Sequence, residues 1–164
     1  MNENDRISDR RVRAARMKVY LDVCCLNRPF DDQTQDQIRL EAEAVLLILM
    51  HLESGEWEWI GSEVLDLEIE QTPDPERRLR VGLLTAHVHS SVLVEQAETE
   101  RAERLEALGF HPYDALHLAC AESGGTDVFL TTDAKLLRRA SRRSREMHIR
   151  VANPLAWLTE VTKE

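Results

Sequence analysis

The sequence predicts an α/β fold: a short parallel sheet of about five strands with helices on both faces. Three observations predict it. Five short apolar stretches, at 18–23, 57–62, 91–95, 127–132 and 149–153, have the length and composition of buried strands. Helical stretches separate most of them, and parallel neighbours need crossovers of that kind. The chain has 164 residues, 43% hydrophobic and 31% charged, which suits one domain with a real core.

Residues 1–16, MNENDRISDRRVRAAR, are polar and without apolar period, so they read as a flexible arm before a single domain at 17–164. KVYLDV is the first strand. In DQIRLEAEAVLLILMHLESG, Ile38, Ala42, Val45, Leu49 and Leu52 share one helical face, and Gly55 ends the helix. WEWIGS is the second strand, EVLDLEIEQ a short helix stopped by TPDP, and PERRLRVGLLTAHVH a further helix. SVLVE is the third strand. AETERAERLEALG and YDALHLACAESGG are helices closed by Gly109 and Gly124. DVFLTT is the fourth strand, DAKLLRRASRRS a helix, and IRVAN the fifth strand. PLAWLTEVTK is a last helix, with Pro154 in its first turn. The run Ala44 to Met50 is apolar nearly all round its helix. That exceeds what one face of a sheet needs and predicts a homodimer unless neighbouring helices cover the surplus.

That run is far too short to span a membrane, and no apolar segment follows the first residues as a secretory signal would. The three cysteines are Cys24, Cys25 and Cys120. An odd count with two vicinal members is a poor disulfide framework and fits a reducing cytoplasm. Cys24, Cys25 and His117 match no usual zinc spacing, so the cysteines read as small buried hydrophobes. The net charge of −9 argues against a general nucleic-acid coat. Residues 1–18, however, carry five Arg and one Lys against three acids, and RRASRRSR at 138–145 carries five Arg and no acid. Such a run is ordinarily a solvated helix face. On an acidic body these are also the two places where a polyanion can be held.

In an open parallel sheet, sites form beyond the carboxyl ends of the strands. Four acids reach that edge. Asp22 ends the first strand and Asp133 the fourth, Asp114 opens YDALHLA, and Glu68 lies on the short helix that leaves the second strand. Asp114 and Asp133 are also reasonable helix N-caps, and Glu68 competes with Glu63, Asp66 and Glu70. Asp22 sits between apolar residues with no capping role visible. Clustered carboxylates repel one another unless a cation compensates, and an all-oxygen set selects a hard ion such as Mg²⁺ or Mn²⁺. Phosphodiester hydrolysis uses such a cluster and needs no side-chain nucleophile. There is no G-x-S-x-G elbow, P-loop or G-x-G-x-x-G motif. Ser62 and His117 could be written into a triad, but nothing local supports one. His117 follows Asp114 by three residues on one helix face, where a supporting role fits better than ligation.

VYLDVCCLNRPF, the step from Ser62 to Glu68, YDALHLACAE and DVFLTTDAKLL, in this order and spacing, resemble the PIN-domain ribonucleases, in particular the VapC-type toxins of bacterial toxin–antitoxin pairs. The resemblance covers roughly residues 17–160. It implies a three-layer α/β/α sandwich and an acidic site of Asp22, Glu68, Asp114 and Asp133 that binds Mg²⁺ or Mn²⁺ and cleaves single-stranded RNA. It also implies a supporting hydroxyl at Thr131 or Thr132, and an antitoxin protein as partner. Val23 follows Asp22 where many relatives carry Thr or Ser. On this reading Arg138, Arg139, Arg142 and Arg143 grip the RNA. Two other functions compete: a PIN-like module that binds RNA or protein without cutting, and an Asp-nucleophile phosphotransfer domain using Lys135.

Overall fold

The computed structural model describes residues 16–163, so the expected arm lies, apart from Arg16, outside the described residues. The sheet has five strands: β1 (Lys18–Leu21), β2 (Glu58–Ser62), β3 (Ser90–Val92), β4 (Val128–Leu130) and β5 (Arg150–Ala152). Their order is β3-β2-β1-β4-β5, with every neighbouring pair parallel.

Alternation along the strands divides the core into two. Val19, Leu21, Trp59, Val128 and Leu130 enter one hydrophobic cluster, and Tyr20, Ile60 and Phe129 the other. Both faces are buried, which is why these strands read as continuous apolar runs. The first cluster is closed by α1 (Val23–Asn27), α2 (Asp36–Glu53), α4 (Pro75–Leu84) and α8 (Pro154–Val161). The second is closed by α5 (Gln96–Ala107), α6 (Pro112–Ser123) and α7 (Ala134–Arg142). The short α3 (Glu63–Glu70) gives Leu65 and Ile69 to one cluster and Val64 to the other. The result is a three-layer α/β/α sandwich. None of the described helices is long and apolar enough to cross a membrane.

Three local expectations change. The first strand stops at Leu21 rather than running through Val23. Asp22 accepts the Val23 N–H and caps α1, which continues into a 3₁₀ turn over Arg28–Phe30. In α2 the inward face centres on Ala44, Val45, Ile48 and Leu52, while Ile38 and Leu49 are only half-buried. Glu41 also turns inward on that face, and its charge is met by Arg28 at 3.1 Å and Asn153 at 2.5 Å. The helix expected over 75–89 ends at Leu84, followed by a 3₁₀ turn over Thr85–His87. Gly124 closes α6 as expected, standing at its C-cap. A Cβ there would come within 2.8 Å of the Ile60 side chain, so glycine lets α6 approach β2, and the left-handed turn falls on Gly125.

The chain leaves β1 for β2 on one side, and β4 arrives on the other. A crevice therefore opens beyond the carboxyl ends of β1 and β4, where the strand order reverses.

Candidate metal centre

The end of β1 delivers Asp22 to this crevice. Its Oδ1 accepts the Val23 N–H at 2.9 Å, and its Oδ2 accepts the Thr131 hydroxyl at 2.8 Å. Thr131 follows β4 directly, and its Oγ1 also accepts the Asp133 N–H at 3.1 Å. One buried hydroxyl thus ties the ends of two adjacent strands. Of the two threonines read as candidates, the side chain that reaches Asp22 is Thr131. Thr132 contributes its N–H to the Cys24 thiol at 3.3 Å.

Ser62 starts α3 by accepting the Leu65 N–H. One and a half turns later, half-buried Glu68 faces the crevice, whereas Glu63, Asp66 and Glu70 are exposed. Glu68 Oε2 lies 2.6 Å from His117 Nε2. One oxygen each of Asp22 and Glu68 and a ring nitrogen of His117 all lie within 4.8 Å of one another. This buried Asp/Glu/His group can hold a metal ion.

Asp114 stands in the first turn of α6, whose N-cap is His111, so the capping role allowed for Asp114 is not the one it has. Asp133 does cap its helix, accepting the Lys135 and Leu136 N–H groups on Oδ1. It remains close enough for its charge to act on Asp114.

Burial raises the Asp22 carboxyl above its usual range, against the pull of the His117 imidazole and the Thr131 hydroxyl. Burial, followed by the charges of Asp22 and Asp133, pushes Asp114 up to about 6. In both cases burial disfavours the charged carboxylate, a cost that a bound cation would offset. In chemistry and charge the oxygen donors fit a hard divalent ion.

The sign for stability follows. An unfolded Asp titrates near 4. Between about 4 and 6 the metal-free folded protein binds more protons than the unfolded chain at Asp114, and in the same sense at Asp22. In chelator, stability is therefore expected to fall as pH rises through this window and to level off above it. For Asp114 alone we expect about 1–2 kcal/mol, or a melting shift of roughly 3–6 °C. Thermal unfolding of wild type and Asp114→Asn between pH 4.5 and 7.5 checks this. The variant should have the shallower slope, and parallel curves would exclude the burial cost.

Two contributors were missed or misread. Cys24 is half-buried and packs against the first hydrophobic cluster, but its thiol also lies 3.4 Å from Asp22 Oδ2 and 3.2 Å from Thr131 Oγ1, so it touches the site as well. Cys25 and Cys120 are buried, as expected of small hydrophobes. Tyr20 is fully buried on β1, with its hydroxyl 2.6 Å from both Ser62 Oγ and His117 Nδ1. The only signal in sequence was a polar-tipped residue inside an apolar strand. Beyond Asp133, Leu108, Lys135, Arg138, Arg139, Arg142 and Arg143 line a surface cavity of ≈ 350 Å³ along α7.

No sequence-family model and no curated protein matches this chain. Solved structures do. FitAcB from Neisseria gonorrhoeae superposes with a TM-score of 0.56 at 13% identity, covering 83% of this chain and 97% of that one. VapBC2 from Rickettsia felis, bound to a DNA fragment from their promoter, gives a TM-score of 0.54 at 13% identity, with 84% and 98% covered. The likeness extends over nearly the whole described chain, and the fold is PIN-like.

Proposed function

We propose that the protein is a Mg²⁺- or Mn²⁺-dependent endoribonuclease that cleaves single-stranded RNA and is held in check by an antitoxin protein. The observation that carries this reading is the meeting of Asp22 and Glu68 at one sheet edge, with the charges of Asp22 and Asp133 both acting on Asp114. A divalent ion bound there supplies phosphate polarisation, a lowered pKa for the attacking water and charge neutralisation at the leaving oxygen. The chain supplies the rest. Thr131 and the Val23 N–H hold Asp22, His117 holds Glu68, and the cationic side of α7 leads away from Asp133 as a path for the phosphate backbone. The resemblance to toxins and the PIN-like fold shared with FitAcB and VapBC2 support an antitoxin partner.

Incubation of single-stranded RNA with the protein and Mn²⁺, with and without chelator, tests the activity. Metal-dependent internal cleavage is expected. Binding without cleavage would mean a non-catalytic module, and phosphoryl-analogue trapping on Asp22 would mean phosphotransfer.

The outer face of α2 supports self-association. Leu46, Leu47 and Met50 are 47%, 48% and 64% exposed, and Leu40 joins them. This is the surplus that the sequence left uncovered, and such faces mark contact surfaces. A homodimer is expected in light scattering, and Leu47→Lys with Met50→Lys should give a monomer. A wild-type monomer at high protein concentration would end this proposal.

A further inference from the structure

The hydrogen-bonded chain behind Glu68 assigns a role to Ser62 and Tyr20, which the proposed activity leaves idle. Four side chains from four elements line up: Ser62, Tyr20, His117 and Glu68. The Ser62–Tyr20, Tyr20–His117 and His117–Glu68 contacts are each 2.6 Å. Ser62 and His117 are 1% exposed and Tyr20 is fully buried, so water does not compete for these bonds.

The proton positions follow from what each group can do. An ionised carboxylate only accepts, so its contact with His117 requires a proton on Nε2. In the neutral ring Nδ1 is then an acceptor, and Tyr20 donates to it. A phenol has a single proton, so Tyr20 accepts in turn from Ser62. Ser62 still accepts the Leu65 N–H that caps α3. The three buried side chains, Ser62, Tyr20 and His117, thus find hydrogen-bond partners while staying neutral. An imidazolium would reverse the Tyr20 and Ser62 bonds but leave Nε2–H donating to Glu68.

We propose that Ser62, Tyr20 and His117 form a positioning relay that points Glu68 at the metal centre. Tyr20 fixes the His117 ring and tautomer, and His117 binds Glu68 Oε2 and leaves Oε1 for the cation. His117 is a positioning residue and not a ligand, although its ring nitrogen lies within 4.8 Å of both acids. The lone pair that a metal would need on Nε2 is occupied by a proton. The donor set that remains is all oxygen, which favours Mg²⁺ or Mn²⁺ over softer ions. Outer hydrogen-bond partners of this kind are typically worth roughly 10–100-fold in metal affinity.

This inference rests on the metal-site reading above, and its test separates the two. ¹⁵N spectra of the His117 ring in the metal-free protein should report a protonated Nε2 that accepts no metal when Mg²⁺ is added. Tyr20→Phe keeps the ring that stacks on Phe129 at 5.2 Å and removes only the hydroxyl. It should mix the His117 tautomers and weaken Mn²⁺ binding about 10-fold. His117→Gln retains an N–H donor near the Nε2 position and should recover most of the affinity lost in His117→Ala. The last two variants decide the matter should Tyr20→Phe not fold. An unprotonated Nε2, equal losses in His117→Gln and His117→Ala, or wild-type Mn²⁺ affinity in folded Tyr20→Phe would each overturn the relay. Mn²⁺ binding with the expected spectra but no RNA cleavage would remove the nuclease reading and leave the relay standing.

Discussion

Asp22→Asn is expected to abolish RNA cleavage while leaving the metal-free fold at least as stable as wild type. The carboxylate is buried, and burial raises its pKa, so its charge is a liability in the absence of a cation. Asparagine keeps one oxygen for the Val23 N–H. Its amide turns the Thr131 contact round, so Thr131 Oγ1 accepts where it had donated, which offsets part of the gain. A melting temperature equal to or slightly above wild type is the expected net result. The loss of activity should exceed the roughly 10–100-fold that removal of an outer hydrogen-bond partner costs. Stabilisation by Mn²⁺, which arises from binding to the native state alone, should fall with it. Thermal unfolding with and without Mn²⁺, together with cleavage assays, reads all three effects. Unfolding of the variant, or an intact metal response, would make Asp22 a helix cap and nothing more.

Joint replacement of Arg138, Arg139, Arg142 and Arg143 by Gln has the second largest expected effect. On a body with net charge −9, RNA needs a local cluster of cations, and this strip is one of the two that the sequence offers. If all four contact phosphates of a single strand, the slope of log K against log salt should flatten by about 2.8. Affinity near 0.1 M salt should drop on the order of 100-fold. Arg139 is half-buried against Gly109 and contributes packing as well as charge. A triple variant that spares it separates the two contributions. Unchanged affinity and salt slope in titrations of labelled RNA would reduce the strip to a solvated face or a surface for a protein partner.

The strands and most helices were legible because buried parallel strands leave short apolar runs and the crossovers leave helical periods between them. The first turn after β1 was not. Val23, Cys24, Cys25 and Leu26 continue the apolar run, and a short apolar stretch carries no period to separate strand from helix. The cap that settles it, Asp22, was legible only as an anomaly. Glu41 shows the same limit. The α2 period placed it at the margin of the buried face, and its partners Arg28 and Asn153 lie 13 and 112 residues away. In the candidate site, the acids stood out because a carboxylate at the end of an apolar strand is costly. Tyr20 did not, because a tyrosine among Val19 and Leu21 looks like any strand residue until Ser62 and His117, 42 and 97 residues on, are folded against it.

The central position of β1 sets the order in which the molecule can assemble. One neighbour, β2, follows after only α1, a 3₁₀ turn and α2, but the other, β4, lies more than 100 residues along the chain, and the bond from Thr131 to Asp22 spans 109. Such long-range closure is entropically slow and is completed late. A partly synthesised chain can contain Asp22 and Glu68 without the strand that orients them. In that state Asp22 is a solvated acid at the end of a strand that still lacks its β4 neighbour. The destructive potential of the proposed site is therefore withheld by chain connectivity until the polypeptide is nearly finished.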